Sequence, residues 1–218
     1  MPSAWSVPPM WRGETVFCVA SGPSSKNLEF EGLQGRPVIV VNDNYLRCPW
    51  APMLYFCDHK WWRWHKDRSA FQGFAGLKIS LDERVAAAEP AVRWLKNGDE
   101  GETGSAGRAG LCLGPDRLKT GRNSGYQALN LAVHTGAKRI VLIGYDMKVG
   151  PRGEEHWFGQ HKDTEGRVVP TAALCIAKWA AHFATMIPQL EELGVEVLNA
   201  GPDSAIDCFP RVRLEDCL

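Results

Sequence analysis

The sequence lacks any apolar run long enough to cross a bilayer: Ile140 to Ile143 and Ala172 to Ala177 fall far short of the roughly 20 residues a membrane helix needs. A chain without a membrane span is expected. It lacks a charge excess too. With 25 Lys and Arg against 25 Asp and Glu, attraction of the whole molecule to nucleic acid or anionic lipid is not the design, and any polyanion site must be a local patch. From Met1 to Trp11 there are Pro2, Pro8 and Pro9 but no apolar core of a secretory signal, so a cytoplasmic protein is expected. The seven cysteines are odd in number, include no C-x-x-C pair, and several lie in apolar runs where a reduced thiol packs as a small hydrophobe. Neither a disulfide framework nor a structural zinc site is expected. Internal repeats, low-complexity tracts, the G-x-G-x-x-G fingerprint and the Walker pattern are all missing.

What the sequence does contain, within 218 residues, is the material of one α/β domain. Thr15 to Ala20 is a β-branched and apolar run that stops at Ser21-Gly22-Pro23-Ser24. Val38 to Val41 ends in Asn42-Asp43-Asn44, and Met53 to Cys57 ends at Asp58. Apolar character without alternation predicts strands buried on both faces, as in a parallel sheet. Another strand is expected around Leu77 to Leu81. Pro90 to Thr120 is rich in glycine and charge and predicts loops with one hairpin. Asn123 to Gly136 predicts a helix, capped by Ser124 or Asn123 and ended by Gly136. Arg139 to Gly144 reads as a buried strand and Met147 to Pro170 as a mobile flap within the domain. Ile176, Trp179, Ala180, Phe183 and Ile187 keep helical spacing, and after Pro188 a short turn leads to a strand at Val195 to Leu198.

Alternating strands and helices predict a Rossmann-like, doubly wound, mainly parallel sheet with helices on both faces. Ligands of such sheets bind outside the carboxyl ends of the strands, where the strand order reverses. The candidates are therefore Ser21 to Ser24, Asn42 to Asn44, Asp58, Tyr145-Asp146 and Asn199 to Ser204. Ser21, Gly22, Pro23 and Ser24 offer backbone N–H groups and hydroxyls suited to phosphate. Asn42 and Asn44 carry amides that suit base or ribose edges but are also ordinary turn residues. Thr120 to Gly125 runs straight into a helix start, where negative charge is stabilised. Asp146 suits a ribose hydroxyl or a buttressing role. Lys60 to Arg68 alternates indoles with cations, which fits either nucleic-acid contact or an amphipathic helix burying its tryptophans. His156 and His161, in the flap, are candidate proton acceptors.

The combination Val19-Ala-Ser-Gly-Pro-Ser24, Asn42-Asp-Asn44, Ser124-Gly125, Gly136-Ala-Lys-Arg-Ile140 and Gly144-Tyr-Asp146 resembles the small bacterial sialyltransferases that use CMP-activated sialic acid. It is also similar to the 6-hydroxymethylpterin diphosphokinase-like proteins common in surface-polysaccharide and phage loci. The likeness extends to His156-Trp-Phe-Gly-Gln-His-Lys-Asp-Thr164 and to Pro202-Asp-Ser204, and so covers most of residues 15 to 210. It implies a metal-independent glycosyltransferase with a flap that orders on donor binding. It implies that Gly22 to Ser24, Ser124 and Gly125 hold the nucleotide phosphate and ribose, with Asn42 and Ser204 nearby. Three departures stand out. Asp58 occupies a position that is usually asparagine near the donor. Gln160 stands where the family has its second flap histidine, with His161 one residue later, so the base is His161 or His156. Lys148 replaces a tyrosine that steadies the departing phosphate.

Two chemistries follow. One is inverting transfer of a sugar from a nucleotide donor, of CMP type, to a hydroxyl acceptor, either a glycan or a hydroxymethylated DNA base, with no cofactor. The other is diphosphoryl transfer from ATP, with Mg²⁺ held by Asp58 and Asp146 at adjacent strand ends. A non-catalytic nucleotide- or nucleic-acid-binding module is the third reading.

Overall fold

A computed structural model describes residues 3–99, 109–169 and 173–218. Strands β1 (Thr15–Val19), β2 (Val38–Val41), β3 (Met53–Phe56), β4 (Leu77–Ser80) and β5 (Val92–Trp94) follow one another, with short helices α1 (His59–His65), α2 (Ser69–Gln72) and α3 (Glu83–Ala88) among them. The chain continues through β6 (Lys96–Asn97), β7 (Arg117–Leu118), α4 (Ser124–His134) and β8 (Arg139–Ile143). It ends with β9 (His161–Lys162), β10 (Val168–Val169), α5 (Ala173–His182), α6 (Ile187–Leu193) and β11 (Glu196–Asn199). Seven strands form one wholly parallel sheet in the order β11-β8-β1-β2-β3-β4-β5. The fold is the Rossmann-like α/β architecture the apolar runs predict.

Burial on both faces explains why those runs do not alternate. Val16, Cys18, Ile39, Val41, Ile140 and Leu142 pack on one side under α4 and α6. Phe17, Val19, Val38, Val40, Val141 and Ile143 pack on the other against Tyr45, Trp61, Phe71 and Val85. From β1 the chain winds outward to β5, then returns to β8 on the opposite flank of β1. The strand order therefore reverses between β1 and β8, and a crevice opens at their carboxyl ends.

Several expectations are corrected. The stretch from Pro90 to Thr120 holds no hairpin among its described residues: β5 joins the main sheet, and β6 pairs with β7 in parallel. Residues 100–108 of that stretch lie outside the described chain. The helix expected to run to Ile187 stops at His182, and a 3₁₀ turn covers Phe183–Met186. Pro188 does not end a helix but sits in the first turn of α6, where its missing N–H costs nothing. The last strand lies one residue later than expected. Lys60 to Arg68 takes the amphipathic reading: α1 buries Trp61, Trp62 and His65 and exposes Lys60 and Arg63.

Candidate active site

A cleft of about 270 Å³ lies over the carboxyl ends of β1, β2, β3 and β8. β1 contributes Ser21 and Gly22, β2 Asn42, β3 Asp58, and β8 Asp146, Met147 and Lys148. The start of α4 supplies Arg122 to Gly125, α5 supplies Ile176 and Trp179, and the flap supplies Glu155, His156 and His161. All the non-glycine residues with positive φ among the described residues, Asn42 (51°), Arg122 (59°) and Met147 (49°), are in this lining. Left-handed backbone in side-chain-bearing residues is strained and clusters where a site demands it.

The crevice floor depends on two glycines. Gly22 N–H donates to the Gly144 carbonyl at 2.8 Å. A Cβ on Gly22 would stand 2.4 Å from that oxygen and 2.7 Å from Asp146 Cγ, and one on Gly144 would stand 2.4 Å from the Ala20 carbonyl. Only glycine lets β1 and β8 release their chains this closely. Asp146 then fixes the first loop: its carboxylate accepts from Ser24 N–H at 2.6 Å and from Ser24 Oγ at 2.5 Å.

At the start of α4, Asn123 is the cap, accepting from Gly125 N–H at 2.8 Å and Tyr126 N–H at 3.1 Å. Ser124 is thus left as a cleft-lining first-turn residue, and the Gly125 amide is already used. Arg122, in a segment read for its amides and hydroxyls, is an exposed cation at this helix start and makes no ion pair among the described residues. Lys148 pairs with exposed Asp203 at 2.5 Å.

The flap residues lie on the cleft. Trp157 N–H donates to the Ser21 carbonyl at 2.9 Å, and Arg47 stacks its guanidinium 5.0 Å from the Trp157 ring. β9 and β10 pair antiparallel, and their hairpin brings His161 into the lining with its ring centroid 4.6 Å from that of His156. The one-residue offset from Gln160 therefore places His161, and not Gln160, in the cleft. Burial lowers the His161 pKa below the ordinary 6.5, opposed by the negative charges of Asp43, Asp58 and Glu155. His156 falls to about 3 by burial, with positive charge on His161 adding to the effect, and its Nε2 has no hydrogen-bond partner. Asp58 keeps solvent contact at the cleft mouth, while the protein packed around it raises its carboxyl above the ordinary range despite His161 and Lys60.

Not every expected residue reaches the cleft. Asn44 is fully buried, its Nδ2 donating to the Val19 carbonyl at 3.2 Å, Ser21 Oγ at 3.1 Å and the Val41 carbonyl at 3.3 Å. It ties β2 to β1 and does not line the cleft, its Oδ1 being buried without a hydrogen-bond partner. Ser204 is also buried, donating to the Tyr145 carbonyl at 2.5 Å and accepting from Ile206 N–H at 3.0 Å. Tyr145 turns into the core and donates to the Gly125 carbonyl at 3.1 Å. Pro23 and Ser24 shape the first loop without lining the cleft. Asp58 and Asp146 are not at adjacent strand ends: β1 and β2 lie between β3 and β8, three strand spacings or about 14 Å. Among the described residues no group of three His, Cys, Asp or Glu is arranged to hold a metal ion, and no helix is long and apolar enough to cross a membrane.

Glu155, Met147, Ile176 and Trp179 were not singled out from the sequence as site residues. The last two belong to a helical stripe indistinguishable in sequence from core, and Glu155 is marked only by its place beside His156.

No protein-family model and no curated protein sequence matches the chain. Among solved structures, the chain is similar to the sialyltransferase CstII from Campylobacter jejuni in complex with a substrate analogue, cytidine-5'-monophosphate. The TM-score is 0.55, with 11% identity, covering 92% of this chain and 85% of that one. It is also similar to the MAf glycosyltransferase from Magnetospirillum magneticum AMB-1, with a TM-score of 0.60 and 16% identity, covering 99% of this chain and 36% of that one. The chain thus spans about a third of the second protein's length. At these identities the likeness is one of fold, the α/β architecture that both glycosyltransferases carry.

Proposed function

We propose that the protein is a metal-independent, inverting glycosyltransferase that moves a sugar from a nucleotide donor of CMP type to a hydroxyl acceptor, without a cofactor. The observation that carries this reading is the polarity of one cleft. Cations and turn residues of a kind that suits phosphate (Arg122, Lys148, the Ser21-Gly22 turn and Ser124) gather beside the β1/β8 crevice, while a flap histidine with carboxylates around it stands toward β3. The likeness in fold to a sialyltransferase in complex with cytidine-5'-monophosphate supports the donor class.

In this reading the nucleotide lies across the crevice, with Ile176, Trp179 and Met147 as its apolar wall and Asn42 offering its amide to the ribose or base. The acceptor oxygen attacks the anomeric carbon, the bond from that carbon to the phosphate oxygen breaks, and its electron pair leaves with the nucleotide. His161 takes the acceptor's proton. His156 is the poorer base, since a ring whose conjugate acid has a pKa of about 3 scarcely draws a proton. Arg122 and Lys148 stabilise the negative charge on the departing phosphate, the electrostatic work for which the protein supplies fixed charges in place of water. Attack opposite the leaving group inverts the anomeric centre.

The test is a thermal-shift panel of CMP, UDP, GDP and ATP, each with and without Mg²⁺, because a ligand bound to the native state raises apparent stability. CMP without metal is expected to stabilise the protein. Stabilisation by ATP with Mg²⁺ alone would overturn the reading in favour of diphosphoryl transfer.

A further inference from the structure

The indole-rich stretch Lys60–Arg68 is only partly absorbed by the core. Trp61 and Trp62 are buried, Trp61 donating its Nε1–H to Asp43 Oδ1 at 2.6 Å, but Trp64 remains half-buried. The Trp64 ring centroid lies 6.2 Å from that of His161, the rings tilted by 37°. The partly open indole of α1 therefore borders the cleft at the proposed base. Lys60 rests over the same indole at 5.2 Å. It is an exposed cation on a flexible four-carbon stem.

Asp58, immediately before α1, and Glu155, on the flap, line the cleft with His161, and both charges act on that ring. Glu155 Oε2 is shielded from solvent yet has no hydrogen-bond partner. A buried acceptor of this kind is costly unless a donor reaches it.

An indole beside two carboxylates has a definite complement. A sugar ring presents an apolar C–H face, which an aromatic ring covers, and a rim of hydroxyl donors, which carboxylates accept. A phosphodiester or a sugar acid would instead meet two carboxylates at close range, against the charge of the exposed Lys60 arm. A nucleic-acid strand needs successive stacking platforms, and burial of Trp61 and Trp62 removes two of the three indoles in this stretch.

We propose that Trp64, Asp58 and Glu155 form the acceptor subsite and that it takes an uncharged saccharide, stacked on Trp64 with one hydroxyl directed at His161. This rests on the glycosyltransferase reading above and narrows its acceptor.

The experiment uses the full chain, with and without CMP, and saturation-transfer NMR. The probes are neutral methyl glycosides, a sialylated glycoside and an oligonucleotide containing hydroxymethylcytosine. The neutral glycosides are expected to bind the wild type and to bind Trp64→Ala at least tenfold more weakly, while the thermal shift given by CMP stays unchanged. Trp64→Phe, which keeps an aromatic face, is expected to recover part of the loss. Glu155→Gln and Asp58→Asn are expected to weaken the glycosides without improving the oligonucleotide. Equal glycoside binding by the wild type and Trp64→Ala overturns the subsite. So does wild-type binding restricted to the sialylated glycoside or the oligonucleotide, or no binding of any probe. Absence of the CMP shift in the wild type counts against the donor reading, and the glycoside arm without nucleotide still decides the subsite.

Discussion

Two histidines lie side by side in the flap, and their surroundings give them different affinities for a proton. Burial lowers both, but only His161 faces carboxylates that partly restore its affinity for a proton. His161→Ala is expected to lower kcat by about 10²–10⁴-fold while the thermal shift with CMP persists, and His156→Ala to cost less. In the proposed reaction the neutral ring is the working form of the base, so the rate is expected to fall as pH drops through the His161 pKa. Since that pKa lies below the ordinary 6.5, the acid limb of the kcat/KM profile is expected below that value. Asp58 raises it, so Asp58→Asn is expected to move the limb further toward acid, which a pH–rate series on both proteins measures. An unmoved limb would remove Asp58 from contact with the base. The sequence showed His156 and His161 as equals, because which of them meets Asp43, Asp58 and Glu155 depends on strands and a hairpin far apart in the chain.

At the scale of elements, the site is set by what ends each strand and begins each helix. Asn123 holds the first turn of α4 through two backbone N–H groups, and Asn123→Ala is expected to cost about 1 kcal/mol with weaker nucleotide binding, read from urea melts and thermal shifts. Gly22→Ala forces a methyl against the Gly144 carbonyl and Asp146, and a loss of about 1–3 kcal/mol is expected. α1 carries a buried chain of its own: Tyr45 Oη lies 2.9 Å from His65 Nδ1, and His65 Nε2 lies 3.5 Å from Asp43 Oδ1. Burial holds His65 at about 3. The unfolded chain binds this proton from about pH 6.5 downward, so the contribution to stability is complete above that value and is lost progressively as pH falls toward 3. His65→Gln is expected to flatten this part of the melting-temperature profile. Strands β1, β2, β3 and β8 were legible as apolar runs, whereas β5 was not, since Val92-Arg93-Trp94 is a short edge segment whose pairing with β4 is non-local.

The whole molecule is a sheet with two cores, and every central strand is committed to both. Leu142→Ala on one face and Ile143→Ala on the other are each expected to destabilise the fold by about 2–5 kcal/mol, measured by urea denaturation. A one-sided sheet would lose that much at only one of the two positions. Local chemistry alone determined the parallel α/β class, the loops that follow β1, β2, β3 and β8, and the start of α4 to within one residue, because apolar continuity, turn residues and helix caps act over a few neighbouring residues. Only the tertiary structure decided that Asn44 and Ser204 turn inward, that Asp58 and Asp146 stand three strands apart, that Arg122 and Glu155 line the cleft, and that Trp64 borders His161. Those outcomes follow from strand order and from which face of an element meets the sheet, and both are settled by packing between segments that have no contact along the chain.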